Sequence, residues 1–359
     1  MKSLWTVTFS IALLFSFESY SQEIQPFFRS VRAQAMGGAG VATVNDETAL
    51  FINPAGLGKI RGPYFVLINP ELETNYEANA ALSAGFQYAA VLNAQSMLDV
   101  AKRNPDKRLH LRVQAQPSFV TTNFGFGVYS KYNYDGEYTS STDNYHLDYI
   151  NDYGAVIGYN LRLWEGRIKI GFAGKFINRV YVNQDVAGTT TGLQFSDIAN
   201  EGGGVGWDGG VILSGPWLWL PSIAAVVHDV GKTYFTTTNG YFYRNNLPRP
   251  PPQSQSIDAA IAVFPILSNK VRSSFTAEWR DVQNPERVDI YRRLHVGAEI
   301  NFNDTFFLRG GMNQRYYTAG FELSMLGQQF QFTTYGEEIG TPTRFREDRR
   351  YIIEYGIRF

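Results

Sequence analysis

Four histidines are the residues with the widest chemical repertoire in this chain, and their spacing predicts neither a catalytic site nor a metal site. They lie at His110, His146, His228 and His295. No two of them form the close pair, or the spacing with a neighbouring Glu, that binds zinc in proteins. The chain also lacks a Gly-x-Ser-x-Gly segment, which presents a serine nucleophile in many hydrolases. We therefore expect no catalytic residue, no bound metal and no cofactor.

A glycine-rich stretch is the second candidate for chemistry. It reads AMGGAGVATVNDETALFINPAGL over residues 35–57. A nucleotide-binding loop needs a preceding strand and either three glycines at a set spacing or a Lys-Ser/Thr ending. The glycines here do not have that spacing, and Lys59 comes too late. The stretch instead predicts a short helix that Asn45 or Asp46 caps and Pro54 ends, with small residues that allow close backbone approach.

Charged residues alternate with apolar ones in several segments, so each of these segments has one charged and one apolar face. The positions that could bind a ligand are Arg167, Lys169, Lys175, Arg179, Arg293 and Glu299. The cations among them are suited to an anionic head group such as a carboxylate. We favour the simpler hypothesis that these charges pair with one another and with Asp46 and Glu47, because buried charges need partners.

The amino-acid composition excludes several classes of protein. Of the 359 residues, 18% are charged and 15% are aromatic, and the net charge is -1. Average protein usage is about 25% charged residues. No nucleic-acid partner is expected, because phosphate binding needs an excess of Lys and Arg that this chain lacks. The absence of cysteine excludes a disulfide framework.

The N-terminus predicts export from the cytoplasm. A lysine is followed by an apolar run and then by small residues at Ser19 and Ser21. This is the pattern of a secretory signal peptide, and the run is shorter than the roughly 20 residues that a membrane-spanning helix needs. We expect residues 1–21 to be the cleaved signal peptide.

Alternation with a period of two runs through the rest of the chain and predicts β-strands with one apolar face. The candidate strands lie near residues 64–76, 109–121, 124–135, 147–163, 167–183, 203–215, 220–235, 255–266, 270–281, 292–303, 306–314, 316–326, 328–336 and 350–359. Short turns and long polar loops alternate between them, except at a short link near Arg315. This pattern is typical of an outer-membrane barrel. The predicted fold class is all-β: a membrane-spanning antiparallel β-barrel of about 14 strands, in contact with the lipid of the cell outer membrane of a Gram-negative bacterium.

The last candidate strand, YIIEYGIRF, places Tyr355, Ile357 and Phe359 on one apolar face. A terminal aromatic residue after alternating apolar residues resembles the signal that the outer-membrane barrel assembly machinery reads. We therefore expect these residues to be an assembly signal and that machinery to be a partner. The strand must also pair with the first one, because a barrel in lipid has no free edge.

The glycine-rich stretch closely resembles the N-terminal segment of the FadL-like superfamily of outer-membrane barrels, which includes long-chain fatty-acid transporters and PorV-type proteins. The resemblance extends through GVGWDGGVIL, LRGGMNQRYYTAGFELSM and TYGEEIG to Phe359. It implies that residues 22–63 form an N-terminal hatch, or plug, inside the lumen and that residues 64–359 form the transmembrane barrel. The hatch motif consists of Asn53, Pro54, Ala55 and Gly56.

The same resemblance implies passive uptake of hydrophobic small molecules, as in lipid transport, with a fatty-acid-like ligand. The alternative is a PorV-type scaffold barrel that binds a partner protein in secretion or surface attachment. A surface barrel with adhesive loops is a third hypothesis, and no motif favours an enzyme. A transporter should enclose an apolar pocket near the hatch with a gap in the wall, whereas paired charges could fill a scaffold throughout.

The first long loop, within residues 80–108, predicts an amphipathic helix. Phe86, Ala90, Met97 and Val100 lie near one face of it. Such a helix could collect a hydrophobic ligand. We favour the hypothesis that it packs on the rim of the barrel, because most amphipathic helices bury their apolar face against the same protein.

Overall fold

The computed structural model describes residues 27–83, 93–243, 247–283, 290–341 and 344–359. The predicted signal peptide, and residues 22–26 of the predicted hatch, lie outside these described residues. Within them the chain forms 17 β-segments and several short helices. No helix in the described part of the chain is long and apolar enough to cross a membrane.

Fourteen strands form one closed antiparallel barrel, which confirms the predicted fold class. Three of these strands consist of two segments with a proline between them. They are β1 (Tyr64–Ile68) with β2 (Glu71–Asn75), β3 (Arg108–Ala115) with β4 (Ser118–Thr121), and β10 (Ser256–Val263) with β11 (Ile266–Ser268). The other strands are β5 (Phe124–Thr139), β6 (Asn144–Leu163), β7 (Ile168–Ala187), β8 (Asn200–Ser214), β9 (Ser222–His228), β12 (Val271–Trp279), β13 (Leu294–Phe302), β14 (Phe306–Asn313), β15 (Tyr316–Met325), β16 (Gln328–Glu338) and β17 (Glu347–Arg358).

The barrel closes where the last strand meets the first. β17 pairs with β1, where Val66 is opposite Arg358, and with β2, where Leu72 is opposite Ile353. Two backbone hydrogen bonds of 2.9 Å join Phe65 to Phe359 beyond the last ladder pair. Every strand of the barrel therefore has a partner on both sides, as a barrel in lipid requires.

The outer face of the barrel is apolar, as the period-two pattern predicts. Exposed side chains on this face include Leu161, Phe172, Trp207, Ile261, Met325 and Ile353. Trp164, Trp217 and Trp219 are exposed in two short turns, where aromatic girdles of such barrels meet the membrane interface. This exterior makes the barrel a transmembrane one, located in the outer membrane as predicted.

Short turns join the strands at one end of the barrel, and long connections join most of them at the other. The short turns include residues 122–123, 164–167, 269–270, 303–305 and 326–327. In barrels of this kind the short turns face the periplasm. The two-residue link at residues 314–315 is the exception at the other end, as predicted. We call the two ends the short-turn end and the long-loop end.

Residues 27–63, here the N-terminal segment, consist of short helical turns. They are α1 (Val31–Ala35), α2 (Ala49–Ile52) and the 3-10 helix Pro54–Lys59. α2 ends before Pro54, as predicted, but its N-cap is Thr48 rather than Asn45 or Asp46. The Asp46 carboxylate does accept a free backbone amide, the N–H of Thr48 at 3.0 Å, but in a turn that precedes the helix.

Strands β5, β6 and β7 extend well past their neighbours at the long-loop end. β6 and β7 each have 20 residues, whereas β9 has 7. Helices α3 (Tyr76–Ser83), α4 (Ala94–Arg103) and α5 (Phe195–Ile198) lie beside this extension. Residues from α3, α4 and α5 share one buried apolar cluster with outward-facing residues of the extended strands.

Helix α4 supplies the centre of that apolar cluster. Met97 and Leu98 are fully buried, against residues that include Tyr149 of β6 and Val182 of β7. The predicted helix therefore packs on the barrel through Met97 and Val100. Phe86 and Ala90, which we placed on the same face, lie outside the described residues.

Candidate functional site

The N-terminal segment contacts the inner wall on opposite sides of the barrel. Met36 lies against Gly297 of β13, and Leu57 lies against Gly158 of β6. These two strands stand about half a ring apart. A Cβ atom at Gly297 would overlap the backbone of Met36, so this close approach requires glycine in the wall.

The predicted hatch motif lies against β7. Asn53 is fully buried, and its amide donates to the carbonyl of Val41 at 3.0 Å. Its side-chain oxygen accepts from the backbone N–H of Ala55 at 3.1 Å. Pro54 and Ala55 lie so close to Gly171 that a Cβ there would overlap their backbone. The hydrogen bonds of Asn53 therefore stabilise the turn of the motif, and the turn packs directly against the wall.

The other residues of the motif pack in the same place. A Cβ at Gly56 would lie 2.7 Å from the side chain of Val44, within the N-terminal segment. The side chains of Asn53 and Pro54 also lie against Gly210 of β8. The segment and the wall are thus in contact over two neighbouring strands.

Arg32 links the N-terminal segment to the far wall. Its guanidinium pairs with Glu299 of β13 at 2.8 Å and with Asp46 at 3.0 Å. Arg309 pairs with the same Glu299 at 2.7 Å. Burial opposes ionisation of Asp46, but the Arg32 guanidinium and a hydrogen bond from Thr48 hold the pKa of Asp46 below its ordinary value.

Charged side chains of the wall hold the segment at two further points. Glu278 of β12 accepts from the backbone N–H groups of Gly40 and Val41 at 2.8 and 2.9 Å. Arg358 of β17 pairs with Glu47 of the segment at 2.6 Å. Charge-assisted hydrogen bonds of this kind are stronger than those between neutral groups, so they stabilise the docked segment.

A second group of paired charges surrounds Phe27. Lys175 pairs with Asp208 at 2.9 Å, and Arg179 pairs with Asp152 at 2.7 Å. The amine of Lys175 lies 5.0 Å from the centre of the Phe27 ring, within range of a cation–π contact. The start of the N-terminal segment is therefore held by charges that already have carboxylate partners.

The remaining candidate charges have other surroundings. Arg167 is exposed at the turn between β6 and β7. Lys169 is buried on the inner face of β7 and donates to the carbonyl of Gly166. Arg293 is buried at the long-loop end and donates to the carbonyl of Asp281 at 2.9 Å. Among the described residues, Arg167 and Lys169 have no carboxylate within ion-pair distance.

Sequence reasoning missed a buried polar network around His110. Its two ring nitrogens lie 2.9 Å from Glu73 and 2.9 Å from Asp135. Arg350 of β17 approaches the same two carboxylates at 3.7 and 3.9 Å. These residues come from four strands that are far apart in the chain, so no local spacing could indicate the network. In the described part of the chain no such cluster is arranged to hold a metal ion.

A cavity of about 360 Å³ lies beside the N-terminal segment. Its walls include the rings of Phe28, Tyr64 and Phe307, and also the carboxylates of Glu71 and Glu354. The lining is therefore mixed rather than apolar. We call it the inner cavity.

A larger cavity of about 1000 Å³ adjoins the inner cavity and opens at the short-turn end. Both are lined by Arg32 and Glu299. The short turns at Gly166 and Gly215 border the larger one, together with Lys169. We call it the periplasmic cavity.

The barrel wall is interrupted beside the inner cavity. The ladder between the first two strands stops at Ser118 and resumes at Gln114, and the break contains Pro70 and Pro117. Across it the backbone N–H of Gln116 donates to the Asn69 side chain at 2.7 Å. Asn69 and Gln116 also line the inner cavity. A side chain thus replaces the backbone ladder at this point of the wall.

The fold is similar to that of solved hydrocarbon channels. The chain matches the CymD monoaromatic hydrocarbon channel with a TM-score of 0.56 and 11% identity, over 91% of this chain and 96% of that one. It matches the Ralstonia pickettii toluene transporter TbuX with a TM-score of 0.55 and 12% identity, over 92% and 98% of the two chains. For the P. putida toluene transporter TodX the TM-score is 0.52 at 12% identity, again over 92% and 98%.

No protein-family model and no curated protein matches the sequence. At these identities the solved structures show a common fold. The resemblance to FadL-like barrels that the sequence indicates is confirmed at that level.

Proposed function

We propose that this chain, whose fold is that of channels for toluene and other monoaromatic hydrocarbons, is an outer-membrane barrel for passive uptake of hydrophobic small molecules. The observation that best supports this is the interrupted wall beside the inner cavity. Leu67 and Ile68 are exposed on the outer face at that interruption. A solute in the inner cavity therefore has a short path to the apolar interior of the bilayer.

The two prolines of the interruption lower the free energy needed to separate the first two strands locally. Proline has no N–H to donate, so no ladder hydrogen bond has to break at Pro70 or Pro117. The Gln116 side chain is fully buried there, and both of its amide atoms have no hydrogen-bond partner among the described residues. Unsatisfied polar groups weaken packing at a site that has to open.

The N-terminal segment serves, in this proposal, as the hatch of a channel formed by residues 64–359. Cleavage of the signal peptide after residue 21 would leave this segment at the N-terminus of the mature chain, with residues 22–63 as the plug. Solute is captured at the long-loop end, passes beside the hatch, and leaves sideways or after a local shift of the segment. No energy-coupling motif and no catalytic motif is visible in the sequence, so we propose diffusion down a gradient and no enzymatic activity.

The C-terminal residues keep the role proposed from the sequence. Tyr355 and Phe359 are exposed on the outer face of β17 and at its end, and Ile357 lies between them on the same face. That position leaves them accessible to the barrel assembly machinery before the wall closes.

Native mass spectrometry of the barrel, extracted gently from outer membranes, tests the proposed ligand class. A co-purifying adduct that fragments as a hydrophobic small molecule is the expected result. A barrel that carries no small molecule, even after incubation with a fatty acid or toluene, would contradict the proposal.

A scaffold for a secreted or surface protein is the second candidate function. It is favoured by the pairing of inward charges, since Arg32, Lys175 and Arg179 all have carboxylate partners that a solute would have to displace. Tyr241 and Phe242 are also exposed at the long-loop end, where a partner could bind. In the same experiment, a protein-sized adduct without a small ligand would support the scaffold.

A further inference from the structure

The periplasmic cavity has an excess of positive charge. Arg32 and Arg272, two of its lining cations, pair with Glu299 and Asp304. The lining cations that form no ion pair with a described carboxylate are Lys59, Arg61, Arg167 and Lys169. The lining carboxylate left without a described cation is Glu165. Once the paired charges are set aside, cations therefore outnumber acids in this cavity.

Two lysines form the core of this excess. The stem of Lys169 lies against Gly58, next to Lys59 in the chain, and both lysines line the cavity. Each amine bonds to a backbone carbonyl, Lys59 to Ala42 and Lys169 to Gly166. An ammonium has three donors, so each lysine keeps donors for a further acceptor.

The electrostatics agree with this geometry. Burial, followed by repulsion from Lys169 and Arg32, lowers the pKa of Lys59 to about 7. Burial is the larger cause of the lowered pKa, and the repulsion from Lys169 and Arg32 outweighs the attraction of Asp46, the carboxylate that acts on Lys59.

A neutral donor in the same cavity lining also has no described acceptor. Ser274 of β12 is buried, lines the cavity, and its hydroxyl has no hydrogen-bond partner among the described residues. Lys169 is itself only 7% exposed. A buried hydroxyl without a described acceptor, such as that of Ser274, is uncommon in folded proteins.

We infer that the periplasmic cavity is a binding site for an oxyanion, a phosphate or carboxylate group, held by Lys59 and Lys169. The group can belong to a free small anion or to the head of an amphiphile, because the cavity of about 1000 Å³ is open at the short-turn end and adjoins the inner cavity, whose mixed lining includes aromatic rings. Lysine is a common phosphate ligand, and several cations around one void match a group with two or more acceptor oxygens. This inference stands independently of the proposed uptake.

Isothermal titration calorimetry of the full mature protein in lipid nanodiscs tests the site. The probes are sodium phosphate, sodium octanoate and octanol, which has the same tail without the anion. Binding of phosphate identifies a free oxyanion as sufficient, and binding of octanoate without phosphate identifies the head of an amphiphile. Octanol bound as tightly as octanoate, or no binding by either anion, would overturn the inference.

Variants assign the binding to the two lysines. Lys59→Gln and Lys169→Gln should each weaken anion binding about tenfold, since one charge-assisted hydrogen bond is removed. Lys169→Arg should keep most of the affinity, and Lys232→Gln, an exposed lysine at the long-loop end, should bind as the parent protein does. The shift between heated and unheated protein on a gel checks folding. Wild-type affinity in both glutamine variants would show that the anion binds elsewhere.

Discussion

Gly171 is a residue at which the barrel wall lies directly against the backbone of the Asn53-Pro54-Ala55 turn. A Cβ atom there would overlap the backbone of Pro54 and Ala55. The backbone of the turn cannot move away without losing the hydrogen bonds of Asn53. A single methyl group at this position is therefore a direct probe of how the N-terminal segment is seated.

We predict that Gly171→Ala loosens the segment and raises the leak conductance of the protein in planar bilayers. Overpacking of a close contact typically costs about 1–3 kcal/mol, enough to populate an undocked state. Gly209→Ala on β8 is the matched control, because nothing lies within 4 Å of a Cβ at that position. Equal conductance of the two variants would mean that the segment does not obstruct the lumen.

We expect the docking of the N-terminal segment to depend on pH through the ionisation of Asp46. Its pKa lies below the ordinary value of 3.8, despite burial, because of Arg32, Thr48 and Arg358. A lowered pKa in the folded state means that the stabilisation is present above the ordinary pKa and is lost as the pH falls through the lowered one. Burial shifts the pKa of the neighbouring Glu47 upward instead, so its protonation acts in the opposite direction.

We therefore expect no rise in the leak conductance from neutral pH down to about pH 4 and a rise only below it. Asp46→Asn should show a raised conductance at neutral pH and lose most of the acid-dependent step. The measurement is single-channel recording across a pH series for both proteins. An unchanged acid step in Asp46→Asn would assign the pH dependence to another carboxylate, such as Glu299.

In the N-terminal segment, some features could be predicted from the sequence and others could not. The end of α2 before Pro54 could be predicted, because proline restricts the preceding residue locally. The pairing of Arg32 with Glu299 could not, since the partners are 267 positions apart and only barrel closure brings them together. The polar network of His110, Glu73 and Asp135 could not be predicted from the sequence for the same reason.

At the scale of elements, helix α4 lies in the long connection between β2 and β3 and packs against the extended strands. Leu98 is fully buried in the apolar cluster that this helix forms with β6 and β7. Its N-terminus is capped by Asn93, whose side chain accepts from the backbone N–H of Gln95 at 2.9 Å. The helix is therefore held both by its cap and by its apolar face.

We predict that Leu98→Ala makes the region between β2 and β3 sensitive to protease while the barrel stays folded. Truncating a buried leucine costs about 2–5 kcal/mol, and the lost contacts are ones that hold the helix on the strands. Arg103→Ala, an exposed position of the same helix, is the control. Limited proteolysis of intact nanodiscs measures the effect, and equal cleavage of both variants would contradict the packing described.

The strands were the most predictable elements, because alternation depends only on which face meets lipid. All the candidate strands are present, and most bounds differ by a few residues. The candidate at 220–235 was too long: β9 ends at His228, and the chain then turns to cover the edge of β8, with Val230 donating to the carbonyl of Trp207. The alternation could not reveal that ending, since the edge that the chain covers belongs to another strand.

At the scale of the whole molecule, the lumen is divided rather than open. Paired charges and the N-terminal segment occupy its middle, and the inner and periplasmic cavities lie toward the short-turn end. For the uptake that we propose, the wall interruption beside the inner cavity gives a hydrophobic solute a sideways route that avoids this middle region. Uptake of this kind would depend on the outer face of the barrel as much as on the lumen.

The most direct test of the central claim is the initial rate at which labelled toluene and a labelled fatty acid enter Gram-negative cells that lack their own hydrophobic transporters. Expression of this protein should raise the rate for at least one of them, without raising entry of a polar sugar and without dependence on the proton gradient. Rates that do not change for either hydrophobic compound, in cells where the assembled barrel is present, would contradict uptake and leave the scaffold function as the better account.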